Sequence, residues 1–198
     1  MIAAVVLAAG SASRFGAQKL LADLGGEPVV LWSVRQILSA GLSPVVVVLG
    51  REAAAVRAAL AGLPVVAVDN PDYRSGLSSS IRAGVEALPP EVRAAAICLG
   101  DQPSVTVAIL ALLRGAFESA GKPIAAPVYR GERGNPVFFA ASLFAELRAL
   151  GGDKGARELL AARRSEIELV AIDRPAPRDV DTLEDLEILR RELARDGG

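Results

Sequence analysis

A loop of small residues with two cations follows the first apolar run of the chain, Ile2 to Leu7. Residues 7–19 read Leu-Ala-Ala-Gly-Ser-Ala-Ser-Arg-Phe-Gly-Ala-Gln-Lys, so the cations are Arg14 and Lys19. Small residues and glycines allow backbone N–H groups to approach an anion closely. The loop therefore favours binding of a nucleoside triphosphate. The alternative is an ordinary glycine turn that carries two surface cations.

Two familiar phosphate-binding motifs are absent here. A Walker loop has lysine directly after its second glycine, whereas Lys19 comes three residues after Gly16. The G-x-G-x-x-G pattern of dinucleotide-binding folds is missing as well. Lysine occurs only at positions 19, 122 and 154, and every other basic residue is arginine. This usage favours a specific need for a compact ammonium group at Lys19, although compositional bias explains it too.

A carboxylate follows another apolar run, Ala95 to Leu99, in the turn Gly-Asp-Gln-Pro of residues 100–103. At the end of a strand and facing a triphosphate, Asp101 would be a natural ligand for Mg²⁺ or Mn²⁺. Any metal must sit on oxygen, because the chain has no histidine and only one cysteine, Cys98. The alternative is that Asp101 caps the next helix.

Further carboxylates and hydroxyls lie in two other turns. The acidic segment 179–185 precedes the last helical pattern and could supply a second metal ligand, although negative charge at a helix N-terminus is favourable in itself. Three consecutive serines, residues 78–80, follow a turn at Gly76. Hydroxyl and free N–H groups at a helix start can bind ribose, base or phosphate, whereas capping needs only one serine.

The composition excludes several function classes. The net charge of −1 provides no basic field for nucleic acid. The lack of histidine excludes a Ser-His-Asp triad and an imidazole proton shuttle. No apolar run reaches the ~18 residues that span a bilayer, and the first residues do not resemble a signal peptide. We therefore expect no contact with a membrane. One cysteine cannot form an internal disulfide, which fits a reducing compartment, so we expect a cytoplasmic protein.

The elements that position these residues alternate between strand and helix. Apolar stripes at helical spacing begin at Leu31, Ile109 and Leu183, and the last is preceded by Thr182 with Asp185 three residues on, as in a capping box. Alternation of this kind predicts an α/β fold with three layers and a mostly parallel central sheet. In such sheets, ligands bind beyond the carboxyl ends of the strands. The predicted strands are residues 2–7, 45–49, 65–68 and 95–99, read as buried and parallel, with further candidates at 124–127, 137–139 and 167–172.

We expect one domain over residues 1–198, with the glycine-rich segment 128–157 as a candidate small lobe for binding an acceptor substrate. The L-A-A-G-x-x-x-R-x-G-x-x-K pattern of the first loop and the G-D-Q-P turn resemble signatures of the MobA-like NTP transferase superfamily, whose fold is Rossmann-like. R-G-N-P-V-x-F at residues 133–139 and G-D-x-G-A-R at 152–157 resemble the branch of molybdenum cofactor cytidylyltransferases, the MocA-like proteins. Phe15 stands where that family usually has methionine.

The resemblance implies roles for individual residues. Asp181 becomes the preferred second metal ligand, because D-x-D-T-x-E-D at 179–185 resembles the family's carboxy-terminal motif, with Asp179 left open. The implied catalytic residues are Arg14, Lys19 and Asp101, with Asp101 and Asp181 as metal ligands. The implied nucleotide-binding residues are Leu7, Ala8, Ala9, Gly10, Gly76, Leu77, Ser80 and Gly100. The implied acceptor-binding residues are Arg133, Gly134, Asn135, Pro136 and Arg157.

By the same resemblance, the protein is expected to transfer CMP from CTP, or GMP from GTP, to the terminal phosphate of a molybdopterin-type cofactor, with Mg²⁺ or Mn²⁺ as cofactor. A molybdoenzyme or its chaperone is a candidate partner. Such an acceptor is already an anion, so the reaction needs no histidine base. Three alternatives stay open: a nicotinamide-dependent oxidoreductase of a heterocyclic substrate, a non-catalytic nucleotide-binding accessory protein for molybdoenzyme maturation, and a sugar-phosphate nucleotidyltransferase.

Overall fold

The computed structural model describes residues 1–10 and 19–196. Arg14 lies outside the described residues. The strands within these residues are β1 (Ile2–Ala8), β2 (Asp23–Leu24), β3 (Glu27–Pro28), β4 (Val45–Leu49), β5 (Val66–Asp69), β6 (Ala94–Leu99), β7 (Ile124–Tyr129), β8 (Glu132–Arg133), β9 (Val137–Ala140) and β10 (Ile167–Ile172). Eight of them form the central sheet, in the order β10-β7-β9-β6-β1-β4-β5 with β8 paired to β7. Strands β2 and β3 form a separate hairpin.

Helices cover both faces of this sheet. The helices are α1 (Val29–Ser39), α2 (Ala53–Ala59), α3 (Leu77–Glu86), α4 (Val107–Ala120), α5 (Phe144–Arg148), α6 (Arg157–Ala162) and α7 (Leu183–Asp196). Alternate residues of β1 point to opposite faces, so Ala4 and Val6 pack with α1 and α4, whereas Val5 and Leu7 pack with α3, α5 and α6. Two separate apolar clusters result, one on each face.

The predicted three-layer α/β class is confirmed. Strand β1 pairs in parallel with β4 and β6, β4 with β5, and β7 with β10, while β9 runs antiparallel between β6 and β7. The expectation that residues 65–68 form a buried strand was wrong in its burial. Strand β5 lies at the edge of the sheet, and Val66 is 51% exposed.

Segment 128–157 is joined closely to the sheet. Strand β9 lies within it, β8 pairs with β7, and α5 packs against α3.

The predicted start of the last helix has a clear physical cause. Thr182 and Asp185 form the reciprocal capping box, with the Asp185 N–H donating to Thr182 Oγ1 at 3.1 Å and the Thr182 N–H donating to Asp185 Oδ2 at 2.9 Å. Among the described residues, no helix is both long and apolar enough to cross a membrane.

The parallel strands bring three turns to one edge of the sheet. β1 ends before Gly10, β6 ends before Asp101, and the turn after β5 leads into α3. Helix α3 packs tightly on β1, because a Cβ at Gly84 would lie only 2.2 Å from Val5 Cγ1. The last turn of α3 is therefore held against the middle of β1, and Ser80 and Ile81 of the same helix reach the cavity wall together with Leu7 and Ala8 of β1.

Candidate active site

A cavity of about 470 Å³ opens at this edge of the sheet. It lies between the ends of β1 and β6, the start of α3 and the start of α6. Its wall brings together residues that belong to separate motifs in the sequence. The predicted site residues that line it are Leu7, Ala8, Ala9, Gly10, Lys19, Gly76, Leu77, Ser80, Asp101, Asn135 and Arg157.

Lys19 lies between two carboxylates that are distant in sequence. Its Nζ donates to Asp101 Oδ2 at 2.5 Å and to Asp181 Oδ1 at 2.8 Å. Only 13% of the Lys19 side chain and 16% of the Asp101 side chain are exposed. Burial acts to lower the pKa of Lys19, but Asp101 and Asp181 outweigh it and the pKa is raised. Lys19 is therefore charged at neutral pH.

A third carboxylate, Asp179, also lines the cavity, but it is held differently. Its Oδ1 accepts a hydrogen bond from Gln102 Nε2 at 2.7 Å. One residue further on, the N–H of Val180 donates to the carbonyl oxygen of Asp101 at 3.0 Å. Burial raises the pKa of Asp179, and the charge of Asp101 adds to the rise. The loop that precedes α7 is thus tied to the Gly-Asp-Gln-Pro turn.

The structure also bears on the capping alternative for Asp101. Helix α4 is capped by Thr106, whose Oγ1 accepts from the N–H of Ile109 at 3.4 Å. Asp101 instead directs its carboxylate to Lys19. Its position is therefore explained by the ammonium it faces and not by the helix that follows.

Most of the serine hydroxyls serve the fold. Asn70 Nδ2 donates to Ser79 Oγ at 2.9 Å and to Ser80 Oγ at 3.0 Å. Ser78 Oγ donates to the carbonyl oxygen of Gly151, and Ser79 Oγ donates to that of Gly76. Ser80 alone of the three borders the cavity.

The far part of the cavity has an apolar floor and a polar rim. Asn135 is half-buried, and the exposed Lys154 and Arg157 stand at the rim, where they can meet a phosphate. Gly76 allows the segment that carries Lys154 to approach α3, because a Cβ at Gly76 would lie 2.4 Å from Asp153 Cα. The floor is formed by Ile81, Ile97, Leu99, Val137, Phe139 and Leu160.

Some predicted site residues lie outside the cavity wall. Arg133 is exposed on β8, and a Cβ at Gly134 would lie 2.9 Å from the Tyr129 ring. Pro136 borders a small void beneath Gln102. Gly100 donates its N–H to the carbonyl oxygen of Leu7 at 3.0 Å, which joins the two turns. Direct roles for these residues in binding stay predictions.

The sequence reasoning missed several residues of the wall. Tyr73 and Lys154 line the cavity together with the apolar floor, and so does Asp179, which the sequence left open as a metal ligand. The rarity of lysine was a usable signal for Lys154. Val137 and Phe139 belong to the R-G-N-P-V-x-F stretch, but they were not assigned to the site, because a floor residue on a strand has the same pattern as a core residue.

The oxygen ligands fit a divalent cation that is completed by its substrate. Within residues 1–10 and 19–196, no group of three acidic, histidine or cysteine side chains is close enough to hold a metal alone. Mg²⁺ is commonly bound by one or two carboxylates plus substrate phosphates and water. Asp101 and Asp181, which already share one cation in Lys19, match that arrangement.

Comparison with known proteins identifies the family of the chain. PucB, a purine catabolism protein of Bacillus subtilis, is 32% identical over 203 residues, covering 96% of each chain. Nicotine blue oxidoreductase of Paenarthrobacter nicotinovorans is 32% identical over 93% of this chain and 94% of its own. The crystal structure of Rv0371c from Mycobacterium tuberculosis is 31% identical and superposes with a TM-score of 0.85, covering 96% of this chain and 97% of that one. Its complex with manganese is 32% identical with a TM-score of 0.79 and the same coverage. Residues 4–167 match the MobA-like NTP transferase domain, and the chain belongs to this family of nucleotidyltransferases.

Proposed function

We propose that the protein transfers the nucleoside monophosphate of CTP, or of GTP, to the terminal phosphate of a molybdopterin-type cofactor and releases pyrophosphate. The observation that carries the proposal is that Lys19 bonds to both Asp101 and Asp181. Lys19 and Asp101 line one cavity together with Gly10 and with two further cations, Lys154 and Arg157. In this reaction, an acceptor phosphate oxygen attacks the α-phosphorus and the bond to the β-phosphate oxygen breaks.

The residues of this chain have distinct tasks in that transfer. The Gly10 turn would hold the triphosphate through backbone N–H groups, and Lys19 would donate to its oxygens. Asp101 and Asp181 would hold Mg²⁺ or Mn²⁺, which supplies charge neutralisation at the phosphates when bound. Positioned cations of this kind can each contribute several kcal/mol of transition-state stabilisation. A complex of Rv0371c with manganese is known, which supports the choice of a divalent cation.

The apolar floor of the cavity supports an acceptor with a flat ring system. Apolar side chains such as Val137 and Phe139 can pack against the face of a heteroaromatic ring, while Asn135 is available to its polar edge. The hydroxyl groups of a sugar would lose water there and find few partners, which is unfavourable. Lys154 and Arg157 suit the phosphate of the acceptor.

The test is pyrophosphate release from each of the four nucleoside triphosphates, with Mg²⁺, in the presence of molybdopterin or of a sugar 1-phosphate. We expect release with CTP or GTP and molybdopterin, and none after chelation of the metal. A rate that is highest with the sugar phosphate would move the assignment to sugar-nucleotide synthesis. Tight CTP binding without release with any acceptor would instead favour an accessory protein, and a molybdoenzyme or its chaperone would then be the partner to seek.

An oxidoreductase is the second candidate. The specific observation in its favour is that one full-length relative, 32% identical, is named nicotine blue oxidoreductase. The absence of G-x-G-x-x-G from the first loop argues against nicotinamide binding there. Consumption of NADH or NADPH, followed by absorbance with a heterocyclic substrate, would support this candidate over nucleotidyl transfer.

Under the main proposal the reaction takes place in the cytoplasm, where a free cysteine such as Cys98 stays reduced.

A further inference from the structure

Gln102 and Asp179 form a pair that joins the Gly-Asp-Gln-Pro turn to the loop before α7. Gln102 is 6% exposed, and its Nε2 donates to Asp179 Oδ1 at 2.7 Å. The contact spans 77 positions in the sequence. Two residues after Asp179 comes Asp181, whose side chain is 53% exposed and bonded to Lys19. The bond between Gln102 and Asp179 therefore ties the loop that carries Asp181 to the buried Gly-Asp-Gln-Pro turn.

The two carboxylates of this loop face different partners. Lys19 Nζ marks the place where a cation sits, and it is bonded to Asp101 and Asp181. No hydrogen bond joins Lys19 to Asp179 among the described residues, and Asp179 is engaged by the amide instead. The Oδ1 atom of Asp179 is therefore committed to the amide of Gln102, whereas the Oδ1 atom of Asp181 is bonded to the ammonium of Lys19.

The burial of Gln102 needs an explanation beyond packing. Its Oε1 is buried and has no hydrogen-bond partner among the described residues. An unpaired buried carbonyl is unfavourable, and an apolar side chain of the same shape would avoid it. The hydrogen bond from Nε2 to Asp179 is therefore the feature that accounts for an amide at this position.

We infer that Gln102 and Asp179 are positioning residues that hold Asp181 in reach of the metal, and that Asp179 is not itself a metal ligand. The inference rests on the proposed function only in naming the group at Asp101 and Asp181 as a divalent cation. Orienting groups that support a metal ligand contribute about 10- to 100-fold to metal affinity.

The experiment combines two measurements that need no substrate. Binding of Mn²⁺ alone is followed by loss of the electron paramagnetic resonance signal of the free ion. Cleavage by trypsin at the Arg178–Asp179 bond is measured by mass spectrometry and divided by the rate at the same bond in a free peptide that carries the same substitution, so that the ratio reports opening of the loop. Arg174 is followed by Pro175 and resists trypsin, so Arg178 gives the specific signal.

Four variants separate the roles. Asp181→Asn should weaken Mn²⁺ binding more than ~10-fold and leave cleavage unchanged. Asp179→Asn keeps an acceptor for Gln102, so cleavage should not change and Mn²⁺ affinity should fall less than ~3-fold through lost charge alone. Gln102→Met removes the donor, so cleavage should rise ~5-fold or more through local opening and Mn²⁺ affinity should fall ~10-fold. The double variant Q102E/D179N reverses donor and acceptor at unchanged net charge and should restore both values towards wild type.

Ser33→Ala is the matched control, because it removes a buried hydrogen bond of 3.0 Å to the carbonyl oxygen of Gly100 on the other side of the same turn. It should change neither cleavage at Arg178 nor Mn²⁺ affinity. Wild-type values for Gln102→Met, or an Asp179→Asn variant that loses Mn²⁺ as strongly as Asp181→Asn, would overturn the inference. If circular dichroism shows that Gln102→Met does not fold, Q102E/D179N is judged against Q102E. Failure of the proposed function alone would leave the cleavage results as predicted while no pyrophosphate is released.

Discussion

Gly76 tests whether the wall of the cavity is held as the structure indicates. Its backbone has φ +99° and ψ 179°, a conformation that is essentially restricted to glycine. A Cβ built there would lie 2.4 Å from Asp153 Cα and 2.8 Å from Asp153 N. Gly76→Ala therefore combines a backbone penalty with a clash against another backbone, which cannot rotate away as a flexible side chain can.

The expected loss of stability follows from these two terms. The strained backbone costs about 1–3 kcal/mol, and overpacking adds about 1–3 kcal/mol. Because the segment around Asp153 is exposed and can shift, we expect a total of about 2–4 kcal/mol, against the ~5–15 kcal/mol that stabilises a typical domain. With a urea dependence of ~2–3 kcal/mol per molar, the unfolding midpoint should fall by ~0.7–2 M.

Gly26→Ala is the matched control for this prediction. Gly26 also has a positive φ of +91°, but a Cβ there meets nothing within 4 Å. It should lose only the backbone term of about 1–2 kcal/mol. Urea unfolding of both variants, followed by circular dichroism, separates strain from clash. A midpoint within ~0.2 M of wild type for Gly76→Ala, or equal losses in both variants, would refute the contact between α3 and the Asp153 segment.

Three further predictions concern charge and burial. Asp101→Asn should reduce turnover ~10²-fold or more, measured by pyrophosphate release, with little change in CTP affinity, measured by calorimetry. The control variant Asp173→Asn, at an exposed position, should match wild type. Turnover of Asp101→Asn comparable to wild type at saturating Mg²⁺ would contradict the metal assignment. Lys19→Met should raise the KM for CTP and lower kcat. The control variant Lys122→Met loses an ion pair with Glu168 and should change neither constant. An unchanged KM and kcat in Lys19→Met would remove Lys19 from the site. Burial raises the pKa of Cys98 from 9.0 to about 12. The folded chain then keeps a proton that the unfolded chain releases, so this group's contribution to stability is complete below pH ~9 and is lost as the pH rises towards 12. The thiol should react with Ellman's reagent at pH 8 only after unfolding, and rapid labelling of the native protein would show that it is not buried.

The sequence predicted the elements well where local pattern decides them. Continuous apolar runs became the strands β1, β4 and β6, and the Thr182–Asp185 pair became a capping box. Burial of β5 was predicted wrongly, because the place of a strand in the sheet depends on topology, and Val66 lies at the edge. The predicted run, residues 65–68, is as apolar as that of a buried strand.

The candidate site shows a similar division. The loop after β1 and the turn after β6 were recognised from local motifs, and the structure brings Gly10 and Asp101 to one cavity. The bond between Gln102 and Asp179 could not be predicted, because it joins residues 77 positions apart and neither belongs to a periodic pattern. The serine run was ambiguous for a related reason, since Ser79 satisfies the backbone and only Ser80 faces the cavity.

The most direct test of nucleotidyl transfer follows the fate of each phosphate. The protein is incubated with Mg²⁺, molybdopterin and CTP or GTP labelled with ³²P in either the α- or the γ-phosphate, and the products are separated by chromatography. We expect that α-label enters the acceptor product and that γ-label leaves as pyrophosphate. Transfer of the γ-label to the acceptor, or retention of both labels in the triphosphate, would contradict nucleotidyl transfer at this site.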